Sequence, residues 1–254
     1  QIESISAPRN ELWRNWSSLS EWVPAKTVRA RKPSDVAHAV KAARRQGVRV
    51  RVVGEGKSFS EITSGSKDDW MLDISQLNHI GEIARDAQGA YIEVGPGTTL
   101  RELNESLNAR GYTLATMTAT NFQSVGGLIA TNSHGSAPKQ GGFSTLVEEI
   151  EFVDGAGRLR RASATESPEE FNTVRSGLGL AGIITGAKLR VEPTFNYATV
   201  QEMRPLEKVL LQKDIEQRLA SNDFFQFFLF PYTGQALVTE AKRTQALVTE
   251  RNTW

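Results

Sequence analysis

The residue pattern predicts a mixed fold of helices and strands, with one large domain followed by the start of a second. Helix-like and strand-like segments interleave over the first two thirds of the chain. Glycine-rich turns punctuate them at 54–56, 95–97, 126–127 and 177–182. The composition then changes after about residue 195, where a helical stretch leads into the very apolar run Phe224 to Phe230.

The segment from Trp13 through Trp22 to Pro24 reads as coil anchored by aromatics. Ser34 is the expected N-cap of a helix whose apolar positions Val36, Ala39, Val40 and Ala43 share one face and which Gly47 stops. Val48 to Val53 alternates valine and arginine, the mark of a half-buried strand. A turn-rich loop (54–67) and strands at Met71–Ile74 and Tyr91–Val94 follow. Thr98 and Thr99 cap a helix carrying Leu100, Leu103 and Leu107 that ends at Gly111. Residues 122–142 are rich in Gly, Ser, Asn and Thr, which suggests a functional lining. Val147–Val153 and Arg158–Ala162 form a hairpin around Asp154-Gly155-Ala156-Gly157. Ser167-Pro168 opens a short helix, and Ile183–Val191 reads as a buried strand. A helix over Leu206–Ala220 is expected. The hexapeptide Gln-Ala-Leu-Val-Thr-Glu occurs at 235–240 and again at 245–250, which reads as two similar strands or a local duplication.

With 254 residues, 39% of them apolar, the chain can bury a core without staples. Its 30 basic and 29 acidic residues give no footprint for nucleic acid or an acidic membrane surface. The absence of cysteine excludes disulfides, thiolate metal sites and a cysteine nucleophile. Only His38, His79 and His134 are present, so no histidine-rich metal site is expected. No apolar run is long enough to span a bilayer, and a soluble protein is expected.

Gly54-Glu55-Gly56-Lys57-Ser58-Phe59 lies between strands. It ends like a nucleotide-triphosphatase loop, but that motif needs a glycine where Arg51 stands and a helix directly after Ser58. A dinucleotide fingerprint would need its third glycine at Phe59. Nucleotide-phosphate hydrolysis is therefore a distant alternative. Anion binding by main-chain N–H groups still suits the loop. Ser124-Val125-Gly126-Gly127, opening a short helix, offers a second cradle. Two such loops in one domain point to a dinucleotide.

Several pieces then occur in one order: Trp13-Arg14-Asn15-Trp16-Ser17, the helix after Pro33, Arg51 to Phe59, Gly95-Pro96-Gly97, Ser124 to Ser136, and Gly179 to Thr185. Together they resemble the flavin domain of the vanillyl-alcohol-oxidase (p-cresol methylhydroxylase-type) FAD enzymes, nearest to the aldonolactone-oxidase and alditol-oxidase branch. The resemblance implies an α+β, two-subdomain FAD-binding domain over residues 1–194. The start of an α+β substrate cap would follow over 195–254. It implies that Gly54, Glu55, Gly56, Lys57, Ser58 and Phe59 wrap the FAD diphosphate. Ser124, Gly126 and Gly127 would line the diphosphate and flavin, with Thr131, Asn132, Ser133 and His134 beside the ribityl chain and ring. Ile183 and Ile184 would lie at the adenine end. For His134, a hydrogen bond to backbone in a tight turn is the equal alternative.

The function so implied is oxidation of a CH–OH group of a polyol, sugar lactone or similar alcohol, with oxygen as acceptor favoured by Pro96. Covalent members of the branch carry a histidine where this chain has Lys57, so FAD is expected to be bound non-covalently. The family's C-terminal His-Trp motif has no match before Arg251-Asn252-Thr253-Trp254. The catalytic base is therefore expected outside this chain, in a continuation or in a second chain carrying the rest of the cap. A non-catalytic flavin-binding fragment is the competing class. The sequons at Asn15 and Asn104 are expected to be incidental.

Overall fold

The computed structural model describes residues 11–249, so Glu250 and the terminal 251–254 lie outside the described residues. Short strands β1 (Trp13–Arg14) and β2 (Glu21–Trp22) pair antiparallel, where the sequence suggested only coil. Next come β3 (Lys26–Arg29), α1 (Pro33–Arg45), β4 (Val50–Val53) and β5 (Trp70–Asp73). The three strands make a parallel sheet in the order β3-β5-β4. Helix α1 lays Val36, Ala39 and Val40 against Leu72 and Ile74, and Ala43 is buried on the same face. Its cap differs from expectation. Lys32 is the N-cap, Pro33 sets the first turn, and the Asp35 carboxylate accepts the N–H groups of Arg31 (3.0 Å) and Lys32 (3.1 Å). A carboxylate at the positive helix end satisfies donors more strongly than the Ser34 hydroxyl would.

The second unit contains β6 (Ile80–Asp86), β7 (Gly89–Val94), α2 (Leu100–Ala109), β8 (Tyr112–Thr113), α3 (Val125–Ala130), β9 (Val147–Val153), β10 (Leu159–Ser163), α4 (Pro168–Val174) and β11 (Ile183–Pro193). Its strands run antiparallel in the order β10-β9-β11-β7-β6, and β8 adds to the end of β11. Leu100, Leu103 and Leu107 of α2 are fully buried with Ile92, Val94, Ile150, Phe152 and Leu189. The cap of α2 is as the sequence indicates: Thr99 Oγ1 accepts the Glu102 N–H (3.2 Å) and the Glu102 carboxylate accepts the Thr99 N–H (2.8 Å). Val153 and Ile183 reach into the α1 cluster, so α1 is shared between the two sheets.

The third unit comprises β12 (Asn196–Pro205), α5 (Leu206–Val209), α6 (Gln212–Ser221), β13 (Phe224–Phe230) and β14 (Gln235–Thr244), with strand order β12-β14-β13. The single helix expected over 206–220 is two, because Leu211 is extended (ψ 122°). The break lets Val209 join Phe225, Ala236 and Val238 in a small core while Arg218 pairs with Asp214 (2.6 Å) and Glu240 (2.8 Å). Of the two readings of the repeated hexapeptide, the one as two similar strands is corrected. Its first copy is in β14, whereas residues 245–249 of the second are not in a strand.

At the β6–β7 turn, the Asp86 carboxylate accepts hydrogen bonds from Arg190 Nη1 (2.9 Å) and Lys188 Nζ (2.9 Å) on β11. The Arg190 and Lys188 hydrogen bonds hold its carboxyl well below the usual carboxylate range. The stability it contributes is present above the ordinary aspartate value of about 4 and is lost as pH falls from there toward the lowered value. Asp86→Asn is therefore expected to lower the urea midpoint at neutral pH. The gap to wild type should narrow steadily below about pH 4. A gap that stays constant down to acid pH would contradict this account.

Candidate functional site

Strand β4 ends at Val53, and Gly54 opens a loop at the carboxyl end of the parallel sheet. Ligands of open parallel sheets gather at that edge. A cleft of about 350 Å³ lies there among the described residues, lined in part by Gly54, Glu55, Gly56, Asp73 and Ser75. The N–H groups of residues 55–59 have no hydrogen-bond acceptor among the described residues. Gly56 is left-handed (φ +59°). Free N–H groups around a left-handed residue form an anion-binding concavity.

Gly54 meets the second loop. A Cβ there would lie 2.9 Å from the Ser124 Cβ and closer still to its Oγ. Ser124 is buried at 5% exposure, and its Oγ makes no capping hydrogen bond to α3. Behind it, Gly126 sits on Pro96, whose Cβ a side chain would approach to 2.7 Å. The Val125 and Gly126 N–H groups donate to Thr98 O and Pro96 O, each at 2.8 Å. This corrects the expectation of a row of free donors opening α3. Among the described residues only Ser124 and Gly127 keep unpartnered N–H groups in that turn, because the others stitch the loop to 96–98.

Lys57 joins the two loops. Its Nζ lies 5.7 Å from the ring centroid of Phe122, which also carries the Arg101 guanidinium at 4.5 Å. Phe122 and Arg101 were missed from sequence, since a cation–π contact leaves no spacing signature. Phe59 and Glu55 are exposed, and Ser58 is half-buried.

The stretch 131–134 is largely bonded to itself. Thr131 Oγ1 donates to Gly127 O (2.8 Å) and lies 2.9 Å from Ser133 Oγ. Asn132, left-handed at φ +47°, accepts the Ser144 hydroxyl at 2.6 Å on its Oδ1. His134 is exposed, with Nδ1 3.1 Å from Gly135 O, which matches the tight-turn reading of this residue. Beyond it, Ser136 O accepts the Phe225 N–H (3.0 Å), and Lys139 pairs with Asp223 (3.3 Å), tying this loop to β13. Ile183 and Ile184 stand in the β11–β9 ladder opposite Val153 and Phe152. Ile184 is in the main core and Ile183 packs against the α1 cluster. Among the described residues no group of three or more His, Asp or Glu could hold a metal ion, and no helix is long and apolar enough to cross a membrane.

Residues 24–163, more than half of the chain, match the model of the FAD binding domain. The chain belongs to the FAD-binding domain family. Residues 187–254 match a second model, described as D-arabinono-1,4-lactone oxidase. The chain is similar to a D-arabinono-1,4-lactone oxidase of Eremothecium gossypii, 32% identical over 100% of this chain and 47% of that protein. It is also similar to an L-gulonolactone oxidase of Scyliorhinus torazame (27% identical, 95% of this chain, 54% of that one). An L-gulono-1,4-lactone dehydrogenase of Mycobacterium tuberculosis is 28% identical over 92% of this chain and 52% of its own length. The chain thus spans about half the length of the curated relatives it matches. Among solved structures, a cholesterol oxidase from Brevibacterium sterolicum superposes with a TM-score of 0.82 at 18% identity, covering 94% of this chain and 48% of that one. A solvent-stable cholesterol oxidase does so at 0.83 and 20%, covering 95% and 49%. These two show the fold of an FAD-binding domain and no more. The α+β, two-subdomain FAD-binding architecture expected from sequence is the architecture observed. FAD suits the site: the free N–H groups of 55–59 and the Lys57 ammonium complement a diphosphate, and the Gly54 approach leaves no side chain in its way.

Proposed function

We propose that this chain is the flavin-holding half of an FAD-dependent oxidoreductase that oxidises a CH–OH group of a sugar lactone. The observation that carries the reading is the run of N–H groups at 55–59, unpartnered among the described residues, beside a glycine-made junction. The lactone class is supported by the names of the relatives and by the match over 187–254. Polyols, the alditol side of the branch, have no such support. We take residues 1–194 as the FAD-binding domain and 195–254 as the beginning of the substrate cap. The passage from one sheet to another between Pro193 and Asn196 supports this division.

Bound FAD would supply the acceptor for the hydride of the substrate carbon, chemistry that belongs to the cofactor. The chain's own part is binding and orientation. Gly54 to Phe59 hold the diphosphate through N–H groups, and Lys57 adds positive charge beside it. Ser124 Oγ and the Gly127 N–H supply further polar contacts, while Thr131, Asn132 and Ser133 keep their loop in shape through the hydrogen bonds above. The strand contacts of Ser136 and Lys139 set the cap segment against that loop. The substrate proton is assigned to no side chain of this chain. In the relatives one polypeptide of about twice the length carries the whole enzyme, which argues against a separate second chain.

With Lys57 at the attachment position, the proposed flavin is non-covalent, and Pro96 favours oxygen as its acceptor. The purified protein is expected to be yellow, to release its colour into the supernatant on acid precipitation, and to bleach under anaerobic conditions with aldonolactones but not alditols. Reoxidation by air completes the test. A colourless protein, a flavin that stays with the precipitate, or bleaching by alditols alone would each overturn the corresponding part.

A further inference from the structure

We propose that Asn15 and Trp16 are positioning residues that aim the 55–59 loop at the FAD diphosphate, an inference that rests on the flavin reading above. Two carbonyls of the loop are turned toward the β1–β2 hairpin. Gly56 O accepts the Trp16 N–H (3.1 Å), and Ser58 O accepts the Asn15 Nδ2 (2.8 Å). In a trans peptide the C=O and the following N–H point to opposite sides of the chain. All peptide bonds among the described residues are trans. Fixing these two carbonyls on the hairpin side therefore fixes the N–H groups of Lys57 and Phe59 on the other side.

The anchor is itself rigid. Asn15 is only 3% exposed, and its Oδ1 accepts the Ser20 N–H (3.2 Å) and the Ser17 hydroxyl (3.2 Å), which leaves Nδ2 no other orientation. Burial also removes Asn15 as a glycan acceptor. Gly56 lies against the Trp13 ring, where a Cβ would come within 2.9 Å of Cζ2. Trp16 and Phe59 meet edge to face, with centroids 4.8 Å apart and planes at 82°. Among the described residues, hairpin and loop thus touch through two hydrogen bonds to loop carbonyls and two aromatic contacts. Without these anchors the Lys57 and Phe59 N–H groups would sample many directions and pay an ordering cost on binding; held in place, they are arranged beforehand.

The test compares FAD with riboflavin, which lacks the diphosphate, and with ADP, which lacks the flavin. Binding is measured by fluorescence quenching and competition on the wild-type chain, Asn15→Asp and Trp16→Ala. Asn15→Asp keeps the Oδ1 acceptor but sets a carboxylate oxygen against Ser58 O. It is expected to weaken FAD and ADP about tenfold, and Trp16→Ala about threefold, with riboflavin changed by less than about twofold. The exposed Trp16 ring keeps the test alive should the buried Asn15 variant not fold. Equal weakening of all three ligands, or no weakening of FAD in either variant, would overturn the proposal. A wild-type chain that binds none of the three would instead overturn the flavin reading itself.

Discussion

Gly54→Ala is expected to weaken FAD binding by about 10- to 100-fold, the equivalent of about 1–3 kcal/mol of overpacking at one contact. The new methyl group has nowhere to go: the Ser124 Cβ would stand 2.9 Å away, with its hydroxyl nearer still. Ser124 is buried and begins α3, so the strain is relieved by parting the two loops. Parting them disrupts the junction that sets the spacing of the free N–H groups on either side. The double variant Gly54→Ala/Ser124→Gly returns the missing volume. Its FAD affinity should recover to that of Ser124→Gly alone. An affinity for Gly54→Ala equal to wild type would mean that the loops need not touch.

Gly97→Ala is expected to act on the fold itself, by about 3 kcal/mol. The Cβ would lie 2.7 Å from Ser75 O and 2.8 Å from Ser75 C, and closer still to Ile74 O. These are main-chain atoms, fixed by the Ile74 N–H bond to Val53 O (3.0 Å) and by the Gly97 N–H bond to Leu77 O (2.9 Å). The urea midpoint should fall with little change in slope. Gly155→Ala, where nothing lies within 4 Å, is the matched control and should cost less than about 1 kcal/mol. Equal midpoints for the two variants would refute the steric account.

The parts of this fold that the sequence reveals are those whose signals are local. The threonine cap at 98–99 and the leucines at 100, 103 and 107 announce α2, and Asp154 to Gly157 announces the β9–β10 hairpin. Strand β6 was missed for a physical reason. Its register shifts between Ile80 and Ile83, so its apolar side chains fall three residues apart and the period of two is broken. Strand β3 has exposed ends and only two half-buried residues between them, too little to show. The two hexapeptide copies make the limit concrete. Identical residues form a strand at 235–240, where β12 and β13 flank them on both sides, and none at 245–249. At the site, the two glycine-rich loops themselves were readable as loops between elements. The partners that arrange them were not, because Asn15 and Ser58, or Lys57 and Phe122, meet only through tertiary folding.

The glycine contacts at Gly97, Gly126 and Gly54 have a mechanical consequence. Segment 74–77 bears on 95–97, which bears on Gly126, and Ser124 of the same turn bears on Gly54. Most of these are main chain resting on main chain or on a proline ring. The main-chain links of this seam have no rotamers to yield, so its one adjustable member is the Ser124 side chain against Gly54. Segments 74–77 and 95–97 and the 124–126 turn therefore shift together, and the separation between that turn and the 54–59 loop is set at a single serine.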